Sequence, residues 1–192
     1  LVGVHKEKIE KKFGYRYELP LPTHGDPTEI DLISDKLPWV TLKESIGDLE
    51  NDPGEYFEGS YSTIYMSRNR KKSWDEQSFT IQASGRQAPQ HPGGNPMTQY
   101  VDEEDGRKRW KFNGKNRRLS IKEIARIQTF PDWFKFSAGS PIGKSGKEIS
   151  RNAQIDKVYK QIGNAVPVLL ARAIIQPIAD FLNCHLSDIR EK

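Results

Sequence analysis

The apolar positions of this chain recur with two different periods, and those periods mark its elements. Leu42, Ile46 and Leu49 fall at helical spacing after Thr41-Leu42-Lys43-Glu44, a capping-box sequence. A helix is therefore expected from Thr41, ended by Asn51-Asp52-Pro53-Gly54. Ser120-Ile121-Lys122-Glu123 is a second capping box, and Ile121, Ile124, Ala125, Gln128 and Phe130 surround a short helix that Pro131 stops. In SFTIQAS, Phe79, Ile81 and Ala83 alternate with Thr80, Gln82 and Ser84, the pattern of a half-buried strand over Ser78–Ala83. Further strands are expected around Ser62–Met66 and in the apolar run Leu1–Val4. VPVLLARAIIQPIADFL, from Val166, is apolar around much of its circumference. It predicts a buried helix with Pro167 in the first turn and a bend at Pro177.

Between these elements the chain is polar or rich in turn formers. Lys6 to Lys12 is charged, and Leu19 to Asp26 (LPLPTHGD) reads as a connector. Gln87 to Pro96 (QAPQHPGGNP) is interrupted throughout by Pro and Gly and predicts an irregular surface loop. Ser137 to Asn152 is Gly/Ser-rich and predicts a mobile polar loop. The fold class expected is α+β, with short strands, irregular loops and a terminal helix.

Composition narrows the function. The 192 residues carry a net charge of +4, too small to prove a nucleic-acid partner, but the charge is unevenly placed. Asp48 to Glu58 is acidic and Arg107 to Arg126 strongly basic, which points to a charged partner on one face. Cys184 is the single cysteine, so no internal disulfide forms. The four histidines have no metal-ligand spacing, and no metal site is expected. No apolar run reads as long enough to span a membrane and no signal peptide is visible, so a cytoplasmic protein is expected. The opening LVGVHKEKIE reads as the end of a buried strand, as if cut from inside a larger protein.

No reactive centre stands out. A glycine-rich phosphate loop, paired carboxylates and a Ser/His/Asp signature are all missing, and Cys184 beside His185 is weak evidence for a nucleophile. No catalytic residue is expected. The arginines carry more. In YSTIYMSRNRKKSW, an extended backbone would turn Ile64, Met66, Arg68 and Arg70 to one face. The guanidinium fork matches guanine O6 and N7, which makes Arg68, Arg70 and Arg86 candidate base readers. Lys71 and Lys72 suit phosphate as point charges. Ile64 reads either as core or as a wedge between base steps.

Two longer motifs connect these residues. RRLSIKEIARIQTFPDWFKF, Arg117 to Phe136, resembles the ninth motif of DNA cytosine-C5 methyltransferases. QIGNAVPVLLARAI, Gln161 to Ile174, resembles their tenth motif, and LVGV the end of the eighth. YMSRNRKKSWDEQSFTIQASGRQ between them resembles the recognition segment of members that methylate GGCC. The resemblance covers nearly the whole chain. It implies residues 1–20 as the end of a Rossmann-like catalytic domain, 21–136 as a target-recognition domain, 137–156 as a polar loop, and 157–192 as the tenth motif with a helix that packs on the catalytic domain.

The same resemblance implies double-stranded DNA as partner. Arg68, Arg70 and Arg86 would read guanines, Ile64 would enter the disturbed base stack, and Lys71 and Lys72 would hold the backbone. Arg117 and Arg126 would tie the recognition domain together. Lys122 stands where the family usually has arginine and lacks the fork. Asn164, Ala165 and Val166 would neighbour S-adenosylmethionine, the methyl donor, with backbone amides near Asn164 and Val166 facing it. Many relatives carry serine where Ala165 stands. The family's Pro-Cys nucleophile motif, its Glu-Asn-Val motif and its glycine-rich cofactor loop do not occur here. They would lie upstream, so the segment alone is expected to methylate nothing and its terminal helix to self-associate. The alternatives are a non-catalytic sequence-specific DNA-binding module, the small subunit of a split methyltransferase, or a relative acting on RNA. Against the last, major-groove readout suits B-form DNA better.

Overall fold

The structure is a computed structural model and describes residues 3–28, 35–143 and 145–190. A π-helical turn, Lys6–Glu10, runs into α1 (Lys11–Phe13). Then follow β1 (His24–Gly25), β2 (Leu37–Pro38), α2 (Leu42–Ile46), α3 (Thr63–Met66), β3 (Met97–Val101) and β4 (Lys108–Phe112). The helices α4 (Ile121–Ile127), α5 (Arg151–Asn164) and α6 (Val168–Arg190) complete the chain. Short paired strands among helices agree with the α+β class. Leu1 and Val2 of the expected first strand lie outside the described residues, and Gly3 and Val4 carry no regular structure.

The described residues form two compact units, Trp39–Ala165 and Leu1–Pro38 with Val166–Lys192. In the first, both capping boxes form as read: Thr41 Oγ1 accepts from Glu44 N, and Ser120 Oγ accepts from Glu123 N at 3.1 Å. Leu42, Ile46 and Leu49 are buried, the last on a 3-10 turn that extends α2. Helix α4 ends at Ile127, before Pro131, in a Schellman arrangement. Phe130 N donates to Ala125 O at 2.9 Å and Thr129 N to Arg126 O at 2.8 Å, with Thr129 left-handed at φ 59°.

Helix α5 takes up the end of the stretch expected to be a polar loop. Its Ile155, Val158, Tyr159 and Ile162 keep the i, i+3, i+4, i+7 spacing and are buried with Ile124, Leu119, Ile81 and Phe57. Tyr159 Oη donates to Leu119 O at 2.5 Å and accepts from Phe57 N at 3.3 Å, tying α5 to two loops. Gly163 lies inside this helix rather than at a tight turn before one. A Cβ there would sit 2.6 Å from Gln82 O and Ala83 N, so the helix backs onto that backbone directly.

The two expected strands at Ser62–Met66 and Ser78–Ala83 do not form. The first is α3, because Ser62 caps a helical turn by accepting from Tyr65 N at 3.1 Å. The second has no regular structure and bends at Ala83, although Ile81 is buried and Gln82 exposed as the alternation required. The sheet of this unit is the antiparallel hairpin β3–β4, in register from Met97↔Phe112 to Val101↔Lys108 and turned at Gly106, φ 67°. The Gln87–Pro96 stretch is irregular as expected but not on the surface. Ala88 to Pro92 are buried, and Gln90 bridges the backbones at Lys71 and Arg118.

In the second unit β1 and β2 pair in parallel over two residues. Phe13, Tyr15 and Tyr17 lie along α6: Tyr15 stacks on Phe181 at 4.1 Å and Tyr17 Oη donates to Ile174 O at 3.0 Å. The helix runs through Pro177. The burial expected of it is not found. None of Val168–Leu186 is fully buried, and Leu169 and Ile175 are 60% and 56% exposed. The expectation that nothing is long and apolar enough to cross a membrane also fails by length and composition, since Arg151–Leu186 contains such a window at mean hydropathy 1.6. Arg172 interrupts the run without cancelling it. A helix that packs its apolar faces against other protein has the same composition.

Candidate nucleic-acid interface

The candidate site is built on α3 and the turns beside it. Tyr65 points inward and is fully buried, its hydroxyl donating to Ala88 O at 2.8 Å and accepting from Gln90 Nε2 at 2.7 Å. Burial pushes the Tyr65 phenol up to about 12, so it stays a neutral donor. Its neighbour Ile64 is 72% exposed, which removes the core reading of that residue. A four-residue helix cannot bury successive residues on the same side, and Tyr65 holds the inner one.

Because this segment is helical, the shared strand face of Ile64, Met66, Arg68 and Arg70 does not exist. The arginines are nonetheless placed near one another by other means. Arg70 is half-buried, lies 5.0 Å over the Tyr65 ring, and donates from Nε to Tyr65 O at 3.2 Å and from a terminal nitrogen to Gln87 Oε1 at 3.4 Å. Gln87 closes the 3-10 turn Gly85–Gln87 that carries Arg86. That turn is fixed by Asp156, whose Oδ1 accepts from Gly85 N at 2.8 Å and from Ser84 Oγ at 3.2 Å. Arg86 lines a groove with Ser62, Gln87, Lys157 and Lys160. Arg68 and Arg86 are exposed, and neither guanidinium makes an ion pair among the described residues.

The two lysines also make contacts within the protein. Lys71 donates from Nζ to Pro92 O at 2.7 Å, and burial pulls its ammonium below the usual range. Lys72 pairs with Glu76 at 2.7 Å and lies 5.2 Å over Phe79. The Lys71 contact is partly buried, and the Lys72–Glu76 pair lies at the surface.

In the basic stretch Arg107, Lys108, Lys111, Lys115 and Lys122 are exposed, while Arg109, Arg117 and Arg126 are engaged within the protein. Arg109 pairs with Asp102 at 2.9 Å and Asp105 at 2.5 Å. Arg117 grips Glu123 with both prongs, and Arg126 meets Asp132 and Asp48 at 2.6 and 2.5 Å. These contacts tie α4 to its surroundings, and they hold the carboxyls of Asp48 and Asp132 below the usual range. Sequence reasoning missed Gln87, Gln90 and Arg118. No motif marks the two glutamines, and the basic flank masks the arginine. The β3–β4 hairpin was signalled only by Asp105-Gly106 between apolar-polar alternations.

The tenth-motif residues Asn164 to Val166 join the end of α5 to the start of α6. Asn164 is the exposed last residue of α5, a carbonyl end rather than an amide end. The Ala165 N–H donates to Ile162 O at 3.1 Å, and Val166 is 57% exposed. The helix N-terminus expected here comes just after Val166, where α6 begins at Val168.

A sequence profile of C-5 cytosine-specific DNA methylase matches residues 34–180. The chain is 56% identical over 178 residues to type II methyltransferase M.BsuRI of Bacillus subtilis, covering 91% of this chain and 37% of that protein. It is 53% identical over 191 residues to type II methyltransferase M.BspRI of Lysinibacillus sphaericus, covering 98% and 40%. With type II methyltransferase M.NgoPII of Neisseria gonorrhoeae it shares 42% identity over 159 residues, 72% of this chain and 41% of that one. The chain spans about two fifths of the length of these relatives. By the profile that matches most of its length, the chain belongs to the C-5 cytosine-specific DNA methylase family.

Proposed function

We propose that this chain is the DNA-recognition and C-terminal portion of a DNA cytosine-C5 methyltransferase that acts on a specific duplex site of sequence GGCC. In this reading Arg68, Arg70 and Arg86 read guanine edges, and Ile64 enters the stack beside the extruded cytosine. The observation that carries it is the pairing of opposite fates in α3: Tyr65 fully buried and Ile64 72% exposed, beside two unpaired guanidinium groups. An isoleucine so presented next to cations is suited to a base stack flanked by phosphates. Arg70, already held by Tyr65 O and Gln87, loses little freedom on binding.

Members of the family take the methyl group from S-adenosylmethionine, which would supply the transferable carbon. In this reading Asn164, Ala165 and Val166 complete a cofactor site only together with the catalytic portion of the protein, and this chain alone transfers no methyl group. Its own work is to choose the site and hold the duplex. Lys71 steadies the recognition loop through Pro92, and Lys72, paired with Glu76 at the surface, meets the phosphate backbone. The test is methylation mapping with the full-length protein on DNA of mixed sequence. Modification confined to cytosines of GGCC is expected, and modification without regard to flanking guanines would refute the reading.

A further inference from the structure

Arg118 is among the largest fully buried side chains of the protein, 2% exposed, and no carboxylate pairs with it among the described residues. A buried charge without an acid partner is costly unless other groups compensate. Here they are backbone oxygens and ring faces. One terminal nitrogen donates to Gly59 O at 3.0 Å and reaches Phe57 O at 3.5 Å, and the other donates to Ser60 O at 3.0 Å. The guanidinium lies 4.1 Å over the Tyr61 ring, 5.2 Å from Phe57 and 5.3 Å from Tyr65. Every one of these partners belongs to the short segment from Phe57 to Tyr65 that leads into α3 and forms its inner side.

The ends of the segment have other anchors: Phe57 N donates to Tyr159 Oη, and Tyr65 Oη donates to Ala88 O and accepts from Gln90 Nε2. Tyr61 packs on Phe112 of the hairpin at 4.6 Å and on Tyr65 at 5.1 Å, and Asn152 meets the backbone of Glu58. Arg70 lies over the same Tyr65 ring that Arg118 faces. Arg118 thus touches the lead-in to Ile64 along its length and faces the ring beneath Arg70.

We propose that Arg118 is a positioning residue for DNA recognition: it sets the height of Ile64 and the aim of Arg70, and so determines site preference without touching a base. The proposal rests on the DNA-reading assignment of Ile64 and Arg70. Lysine at 118 keeps the charge but lacks the fork that grips carbonyls in two directions. The experiment compares wild-type and Arg118→Lys full-length protein for binding to a GGCC duplex and to a scrambled duplex, with thermal unfolding followed in parallel. A duplex carrying 2-aminopurine beside the target reports unstacking by Ile64.

For folded Arg118→Lys, the preference for GGCC is expected to fall about tenfold and the 2-aminopurine signal to weaken, while scrambled-duplex binding is kept. A merely structural role would lower binding to both duplexes in step and leave their ratio alone. A folded variant with unchanged preference and unchanged fluorescence overturns the proposal. Should Arg118→Lys not fold, Tyr61→Leu carries the test with the same two outcomes, since it removes the ring that Arg118 faces most closely at a half-buried position. A wild-type protein without preference for GGCC takes down the underlying reading instead, and is distinguished by that control.

Discussion

Arg117 and Glu123 meet in a two-pronged ion pair, 2.8 Å on each prong, with the carboxylate fully buried. Glu123 also accepts from Ser120 N at 2.7 Å, so one side chain closes the capping box of α4 and neutralises the arginine. Removing either partner leaves an uncompensated buried charge. Arg117→Ala or Glu123→Ala is expected to cost about 3–5 kcal/mol of stability, read from urea unfolding. A loss under about 1 kcal/mol would show the pair to be a surface-type interaction.

His91 makes this cluster sensitive to pH. Its Nδ1 accepts from Gly93 N at 3.1 Å, its Nε2 lies 3.4 Å from Glu123, and Trp74 meets it edge-on at 5.1 Å. Burial, then the charge of Arg117, lowers its pKa below the ordinary 6.5, against the opposing pull of Glu123 and Glu50 and with a small addition from Lys71. The folded protein therefore holds His91 neutral while the unfolded chain takes up a proton. This contribution is complete above about pH 6.5 and is lost as pH falls toward the folded pKa. The unfolding midpoint should drop between about pH 7 and 5.5, and drop less in His91→Gln. Equal slopes in the two proteins would contradict the assignment.

Gly163→Ala tests the contact between α5 and the Gln82–Ala83 backbone. The added Cβ meets backbone atoms at 2.6 Å, which rotamer changes cannot relieve. A loss of about 1–3 kcal/mol is expected from overpacking. A neutral or stabilising effect, as for Gly→Ala in an open helix, would mean that the helix does not approach so closely.

The local chemistry of the sequence was a sound guide where one residue decides an element. Thr41 and Ser120 fixed the starts of α2 and α4 because each cap bond needs only a neighbour three residues on. Ile81 was legible as buried although its strand was not real, since alternation reports burial and not pairing. Other elements are less plain. Ile64 and Met66 alternate like a strand, but Ser62 caps a helical turn locally and the Tyr65 hydroxyl adds bonds to Ala88 and Gln90 far along the chain. Helix α5 was hidden by the Gly/Ser-rich flank before it, although Ile155, Val158, Tyr159 and Ile162 carry the period. In the basic run Arg107–Arg126, the pairing of Arg109 and Arg126 is hidden because their acids, Asp48, Asp102, Asp105 and Asp132, are scattered in sequence, whereas Arg107, Lys108, Lys111, Lys115 and Lys122 are exposed as the run suggests. The candidate arginines were legible as residues, whereas their differing freedom, Arg70 held and Arg68 and Arg86 exposed, was not.

The apolar side of α6 carries its own expectation. With Leu169, Ile175 and Leu170 at 60%, 56% and 49% exposure, the isolated chain should self-associate as concentration rises. Light scattering checks this directly. A strictly monomeric chain at high concentration would contradict it, and Leu169→Lys with Ile175→Lys should restore monomers if the helix is the cause.

The central claim is that exposed guanidinium groups beside α3 select guanine-containing duplex. It is tested most directly by the ratio of binding to GGCC and scrambled duplexes for wild-type, Arg68→Ala and Arg86→Ala full-length protein at one fixed salt concentration. Each substitution is predicted to lose about 1–3 kcal/mol of discrimination with the protein still folded. Ratios unchanged from wild type in both variants would contradict the account.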